Sequence, residues 1–202
     1  MALEVELVSW ESVYDRARTC ARQIESDGFR PDLIVAIARG GFAPARILCD
    51  FLDIHDLASL KVEHYGAGAR EKGAAKVVYP LNAEIGNLRV LLADDVNDSG
   101  ETLIAAQKYL EELGPAEVRI AVLDQKTHSP VEAHYQGRQV REWRWITYPW
   151  AVIEDLSSFV QKLPDLPNRM EAVRNALYEA HGMKPEAATI RDVFHKLGRP
   201  LE

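Results

Sequence analysis

Three short stretches, Leu33–Ile37 (LIVAI), Leu88–Ala93 (LRVLLA) and Val118–Leu123 (VRIAVL), are apolar almost throughout, and each ends against a polar turn. Runs of this length without polar alternation suit strands buried on both faces. Helical periodicity separates them. Trp10, Val13, Tyr14, Ala17, Ala21 and Ile24 recur at three- and four-residue spacing before Gly28 and Pro31 stop the pattern, and Phe42–Leu52 and Glu101–Leu113 read as two more helices. Strands alternating with helices imply βαβ crossovers and a parallel sheet flanked by helices. In such a sheet, ligands bind beyond the carboxyl ends of the strands. The turns after the three runs are therefore where chemistry is to be sought.

A chain of 202 residues suits one domain with a small appendage. Leu60–Tyr65 reads as a further strand and Gly66–Lys76 (GAGAREKGAAK) as a mobile loop. Gln125–Trp150, rich in Trp, Tyr, Arg and His, reads as a short irregular or antiparallel lobe. Pro164 and Pro167 mark a boundary. Two helices are expected beyond it, Asn168–Ala180 with Asn168 as cap, and Thr189–Leu197. The expected division is thus a domain over 1–163 and a helical extension over 164–202.

The formal charge of −7, from 24 basic and 31 acidic residues, argues against a nucleic-acid binder. It leaves room for an anionic small molecule, which a local nest of backbone N–H groups can hold. No apolar run is long enough for a membrane helix, and the acid-bearing start does not read as a signal peptide. Cys20 and Cys49 lie in apolar-periodic stretches and read as reduced core thiols, which places the chain in the cytoplasm.

The most informative segment is Val90–Leu103, VLLADDVNDSGETL. A buried strand delivers Asp94 and Asp95, then a turn leads into a helix. The helix N-terminus after Ser99-Gly100 offers unpaired N–H donors and the positive end of the dipole, and Ser99 and Thr102 add hydroxyls. The paired acids accept hydrogen bonds from neighbouring hydroxyls or help hold Mg²⁺ through water. Taken alone, a DxxDSG string is equally a turn and helix capped by Asp94 and Asp98. Likewise Ala38-Arg39-Gly40-Gly41 brings a backbone able to approach an anion and a permanent charge, yet alone it is usually only a turn.

As a whole, Val90–Leu103 resembles the phosphoribosyl-pyrophosphate (PRPP) signature of type I phosphoribosyltransferases: four apolar residues, two acids, two mostly apolar residues, then Asp-Thr/Ser-Gly-x-Thr. Its one departure is Asn97, where many members are apolar. The resemblance implies the type I phosphoribosyltransferase α/β fold, with a small hood at about 125–150 and the C-terminal helical extension. It assigns Asp94, Asp95, Asp98, Ser99, Gly100, Glu101 and Thr102 to the ribose and its phosphate. Asp94 and Asp95 also fall to the Mg²⁺ cofactor, indirectly. The turn Ala38, Arg39 and Gly40 matches the family's pyrophosphate loop, with a cis peptide expected at Ala38–Arg39. Tyr65, with His64, stands at the base of a catalytic lid over Gly66–Lys76, where Lys72 is a further pyrophosphate candidate.

Two segments resemble the 6-oxopurine branch, of the xanthine–guanine and hypoxanthine type. Lys126, just past the third strand, matches a lysine that donates to the purine's exocyclic oxygen. Trp145-Ile146-Thr147-Tyr148-Pro149-Trp150 matches a base-binding segment, in which Trp145 stacks on the purine and the Ile146 carbonyl accepts from its 2-amino group. Trp143 and Trp150 are expected to fill a core. Many members place an acid after Pro-Trp, where this chain has Ala151, with Glu154 the nearest acid. The activity implied is transfer of the phosphoribosyl group from PRPP to a purine base, Asp98 handling the proton on N7. The partners implied are those two substrates and other copies of the chain, as dimer or tetramer, with neither nucleic acid nor membrane. Two alternatives remain: a transferase for adenine or a pyrimidine, and a non-catalytic regulator that binds nucleotide.

Overall fold

Helix α1 (Trp10–Ser26) forms because Val13, Ala17, Cys20, Ala21 and Ile24 fall on one face, and all five are buried. It stops at Gly28, whose φ of 71° is a left-handed conformation that glycine adopts without penalty. The structure, a computed structural model, describes residues 3–64, 75–163 and 167–202. They form two compact units, Glu11–Glu142 and the N-terminal residues through Trp10 with Trp143–Glu202.

The first unit is built on a six-stranded sheet of order β4-β3-β2-β5-β6-β7. Its strands are β2 (Leu33–Ala38), β3 (Leu57–His64), β4 (Ala75–Tyr79), β5 (Arg89–Asn97), β6 (Glu117–Lys126) and β7 (Tyr135–Val140). All neighbours run parallel except β3 and β4. The reason for continuous apolar runs is visible in their alternation. Ile34, Ala36, Leu91 and Ala93 face one cluster with Cys20, Ile24 and, from α2 (Phe42–Leu52), Leu48. Leu33, Val35, Ile37, Val90 and Leu92 face another with Leu103, Ala106 and Leu110 of α3 (Glu101–Glu111). A strand with helices on both faces has no solvent side on which to place polar residues.

Several sequence expectations need correction. Gln125–Trp150 is neither one lobe nor antiparallel: β6 runs on to Lys126, β7 adds a parallel strand to the main sheet, and Trp145–Thr147 pairs in parallel in a separate two-stranded sheet. The parallel edge escaped notice because Tyr135–Val140 (YQGRQV) is mostly polar. Gly137 lies there because a Cβ would strike the backbone of Arg16 and Leu123. Of the expected lid, Ala75 and Lys76 belong to β4; Tyr65 and Lys72 lie outside the described residues. Cys20 and Cys49 are buried and free, and burial pushes the Cys20 thiol up to about 12. No described helix is long and apolar enough to cross a membrane.

The second unit pairs β1 (Val5–Leu7) with β8 (Trp145–Thr147), in parallel. Helices α4 (Val152–Gln161), α5 (Met170–His181) and α6 (Ala187–Lys196) complete it. Leu156, Phe159 and Val160 of α4 share one apolar cluster with Val173, Leu177, Ile190, Val193 and Phe194. The expected division at 163/164 therefore falls inside a group of helices with a common core. The cap of α5 is Arg169 rather than Asn168, and no side chain caps it. Trp143 is about half exposed rather than core, while Trp150 stacks on Tyr148 at 4.8 Å and 4°.

Candidate active site

From β2 the chain passes through α2 to β3, and from β5 through α3 to β6, so the winding diverges between β2 and β5. A crevice at such a switch point is where doubly wound sheets bind ligands. Both turns singled out from sequence lie there, since β2 and β5 are neighbours in register, Ala36 beside Ala93. The Ala38–Arg39 peptide is cis, as the resemblance implied. Gly40 lies directly against the Asp95 carboxylate and Gly41 against the backbone of Ala93 and Ile37, so neither position has room for a Cβ. Two glycines thus let the first turn lie flat on the second.

Asp94 is buried, and its Oδ1 accepts the Asp95 N–H at 2.9 Å. Burial, and then the neighbouring Asp95 charge, push the Asp94 carboxyl well above the usual carboxylate range. Asp95 is half-buried, and its Oδ1 accepts the Val96 N–H at 2.7 Å. After Asp98 and Ser99, Gly100 takes a φ of 81° and turns the chain into α3, whose first bond runs from the Ile104 N–H to the Gly100 carbonyl. The N–H groups of Glu101, Thr102 and Leu103 precede that bond and form the donor end of the helix. His64, at the end of β3, faces this turn: its Nδ1 is 3.2 Å from Glu101 Oε2 and its Nε2 3.5 Å from Thr102 Oγ1.

The end of β6 completes this part of the site. Lys126 is 3% exposed and its Nζ donates to Asp98 Oδ2 at 2.9 Å. His128 Nε2 lies 2.9 Å from Asp98 Oδ1. The carboxylate named as proton handler is therefore held by two nitrogen groups, one from the end of β6 and one from the loop that follows it. Sequence reasoning missed His128; the signal was a titratable residue two positions past Lys126, on the loop that leaves the strand. Asn97, the departure from the signature, is 1% exposed and donates to Gln125 Oε1 and to the Val131 carbonyl, while Ser129 Oγ donates to its Oδ1.

The other residues that the resemblance assigned to the base stand in the second unit. Trp145 is 40% exposed; its Nε1 donates to Asp155 Oδ2 at 2.9 Å and its ring meets Phe159 edge-on. The Trp145 N–H donates to the Glu4 carbonyl and the Thr147 carbonyl accepts from Val8. Strand alternation then turns the Ile146 carbonyl away from β1. Ala151 caps α4, and Glu154 is exposed in its first turn.

The described residues hold no cluster of three or more acids, histidines and cysteines able to cage a metal. The donor set at Asp94 and Asp95 is all oxygen, which fits Mg²⁺, an ion that keeps most of its waters and takes few protein ligands. A hollow of about 680 Å³, lined by Arg22, Asp27, His134 and Tyr135 among others, lies toward the amino end of β6, where the Ile120 N–H donates to His134. That is the wrong end of the sheet for the ligands of such a fold.

The family described as Phosphoribosyl transferase domain matches residues 6–153. The chain is 33% identical to a xanthine-guanine phosphoribosyltransferase of Ruegeria sp. over 154 residues, covering 71% of this chain and 83% of the relative. It is 29% identical to a hypoxanthine-guanine phosphoribosyltransferase of Aquifex aeolicus, covering 66% and 79%. Among solved structures, a purine phosphoribosyltransferase from Pyrococcus horikoshii superposes with a TM-score of 0.64 at 29% identity, covering 73% of this chain and 94% of that one.

Proposed function

The chain belongs to the phosphoribosyltransferase family, and from that premise we propose that it transfers the 5-phosphoribosyl group of PRPP to a 6-oxopurine. The bases meant are guanine, hypoxanthine and xanthine; the products are the nucleoside monophosphate and pyrophosphate. The observation that carries the base assignment is Lys126, an ammonium 97% buried at the end of β6 and bonded to Asp98. A lysine has donors only, so it matches an exocyclic oxygen and not an amino group.

On this reading each residue has a role set by its chemistry. Asp94 and Asp95 take the ribose hydroxyls. The donor end of α3, with Ser99 and Thr102, holds the 5-phosphate, and the Ala38–Gly40 turn holds pyrophosphate. Asp98 receives the N7 proton as N9 bonds to C1′ and the bond from C1′ to the pyrophosphate oxygen breaks. Lys126 turns from Asp98 to the purine O6. Trp145 stacks on the ring and Ile146 accepts from its 2-amino group. Mg²⁺, bound through water at Asp94 and Asp95, would offset charge on the leaving pyrophosphate. Buried reduced Cys20 and Cys49 support a cytoplasmic setting.

The test is kcat/KM for guanine, hypoxanthine, xanthine and adenine, with wild type and Lys126→Ala. Loss of one buried polar pairing costs roughly 1 to 3 kcal/mol, so the wild type should disfavour adenine by about ten- to a hundredfold or more. Lys126→Ala should erode that preference with little effect on PRPP. Efficient use of adenine by the wild type would overturn the 6-oxopurine assignment and favour the alternative transferase.

A further inference from the structure

Trp145 presents a half-exposed indole, and an indole with two free side-chain torsions would not hold one plane unaided. Two contacts hold this one, and a third anchors the first, all within the second unit. Asp155, in the first turn of α4, accepts from Trp145 Nε1 at 2.9 Å. The same oxygen, Oδ2, accepts from Thr147 Oγ1 at 2.8 Å. Thr147 is 1% exposed and fixed in β8. The carboxylate is thus anchored to the strand that carries the indole, and the indole is anchored to the carboxylate. Phe159, one turn further along α4, meets the indole edge-on at 6.5 Å and 87°. Behind Phe159 lies His181 at the end of α5, with ring centroids 4.7 Å apart, and His181 Nδ1 is 3.0 Å from the Leu3 carbonyl beside β1.

We infer that Asp155 is a positioning residue for the purine, acting through the indole N–H of Trp145, and that α5 buttresses it through His181 and Phe159. This rests on the reading of Trp145 as the base-stacking ring. The acid placed after Pro-Trp in many members is absent at Ala151, and Asp155 stands one helical turn later on the same helix start. A ring held in its binding plane before the base arrives pays no ordering cost on binding, so the contribution appears in base affinity.

The test uses the full-length protein with PRPP and guanine as substrates. Asp155→Leu removes both hydrogen bonds, Asp155→Asn keeps an acceptor oxygen, and Trp145→Phe keeps a stacking ring but removes the N–H. Asp155→Leu should raise KM for guanine about tenfold, the scale of one lost charge-assisted bond, with KM for PRPP unchanged. Asp155→Asn should restore most of the loss. On the Trp145→Phe background, Asp155→Asn and Asp155→Leu should have almost no further effect on the guanine KM. A role in mere stability would not produce that non-additivity. If the wild type turns over no purine, the functional reading fails and the inference with it. If the wild type is active and Asp155→Leu leaves the guanine KM unchanged, the inference alone fails. Should Asp155→Leu not fold, Asp155→Ala, which also removes the acceptor, takes its place on both backgrounds: equal effects on wild type and on Trp145→Phe overturn the inference, and an effect only on wild type supports it.

Discussion

A methyl group at Gly40 separates the stability of the crevice from its use. The Cβ of Gly40→Ala would fall on Oδ2, Cγ and Oδ1 of Asp95. That carboxylate is the end of a short side chain, so it yields by rotating away and surrenders its 2.7 Å bond from the Val96 N–H. The fold loses little, because Val96 is only half-buried and water can replace the acceptor. The ligand loses a placed carboxylate. A hydrogen bond to a charged group contributes about 1.5 to 3 kcal/mol, so PRPP affinity should fall roughly 10- to 150-fold. Gly41→Ala provides the contrast. Its φ of −68° and ψ of −13° accept alanine, but the new Cβ would meet the Ala93 carbonyl and the backbone of Ile37. Strand backbone cannot rotate away, so the cost is overpacking, about 1 to 3 kcal/mol, and shows as a lower Tm. Calorimetric titration with PRPP and Mg²⁺, paired with thermal unfolding, measures both. Wild-type PRPP affinity in a folded Gly40→Ala would refute the placement of Asp95 at the ribose.

Asp98→Asn should lower the rate of the chemical step by about 10²- to 10⁴-fold while PRPP still binds; single-turnover mixing and titration distinguish the two. Asp94 should make stability depend on pH. Its folded carboxyl is raised, so over the range above its ordinary unfolded value the native state holds a proton that the unfolded state has released, and stability falls as pH rises. Asp94→Asn should flatten that fall in a series of Tm values against pH; an unchanged slope would mean that Asp94 does not titrate as its burial implies. Trp145→Ala should weaken guanine, hypoxanthine and xanthine alike, because stacking reads a ring face and not its substituents, and unequal losses in kcat/KM would contradict a stacking role.

Where the helices cover both faces of the sheet, the order of residues announced it: β2, β5 and β6 are continuous apolar runs, and the candidate site residues stand at their ends and on the turns that follow. The strands that went unnoticed lack that imprint. Strand β7 lies at the sheet edge with Gln136, Gly137 and Arg138 along it, and β1 and β8 span three residues each, too few for a period to show. Helix α4 was hidden because it follows Pro149-Trp150 without a capping side chain. Within the site, a signature string brought Asp94 to Thr102 into view. His128 and Asp155 stayed out of view because their hydrogen bonds go to partners 30 and 10 residues away, Asp98 and Trp145, and no spacing rule encodes either pairing.

Asn97 carries a consequence for anyone who would redesign base preference. Its amide reaches Gln125 and the Val131 carbonyl, Ser129 returns a bond to it, and Gln125 accepts from the Ala133 N–H. The loop that follows β5 and the loop that follows β6 are therefore one rigid body at their root. On the proposed reading, a substitution among residues 127–133 meant to shift base preference would also tilt Asp98 and the start of α3. Altered base choice and altered sugar-phosphate affinity will then travel together, unless Asn97 is changed in the same step to uncouple them.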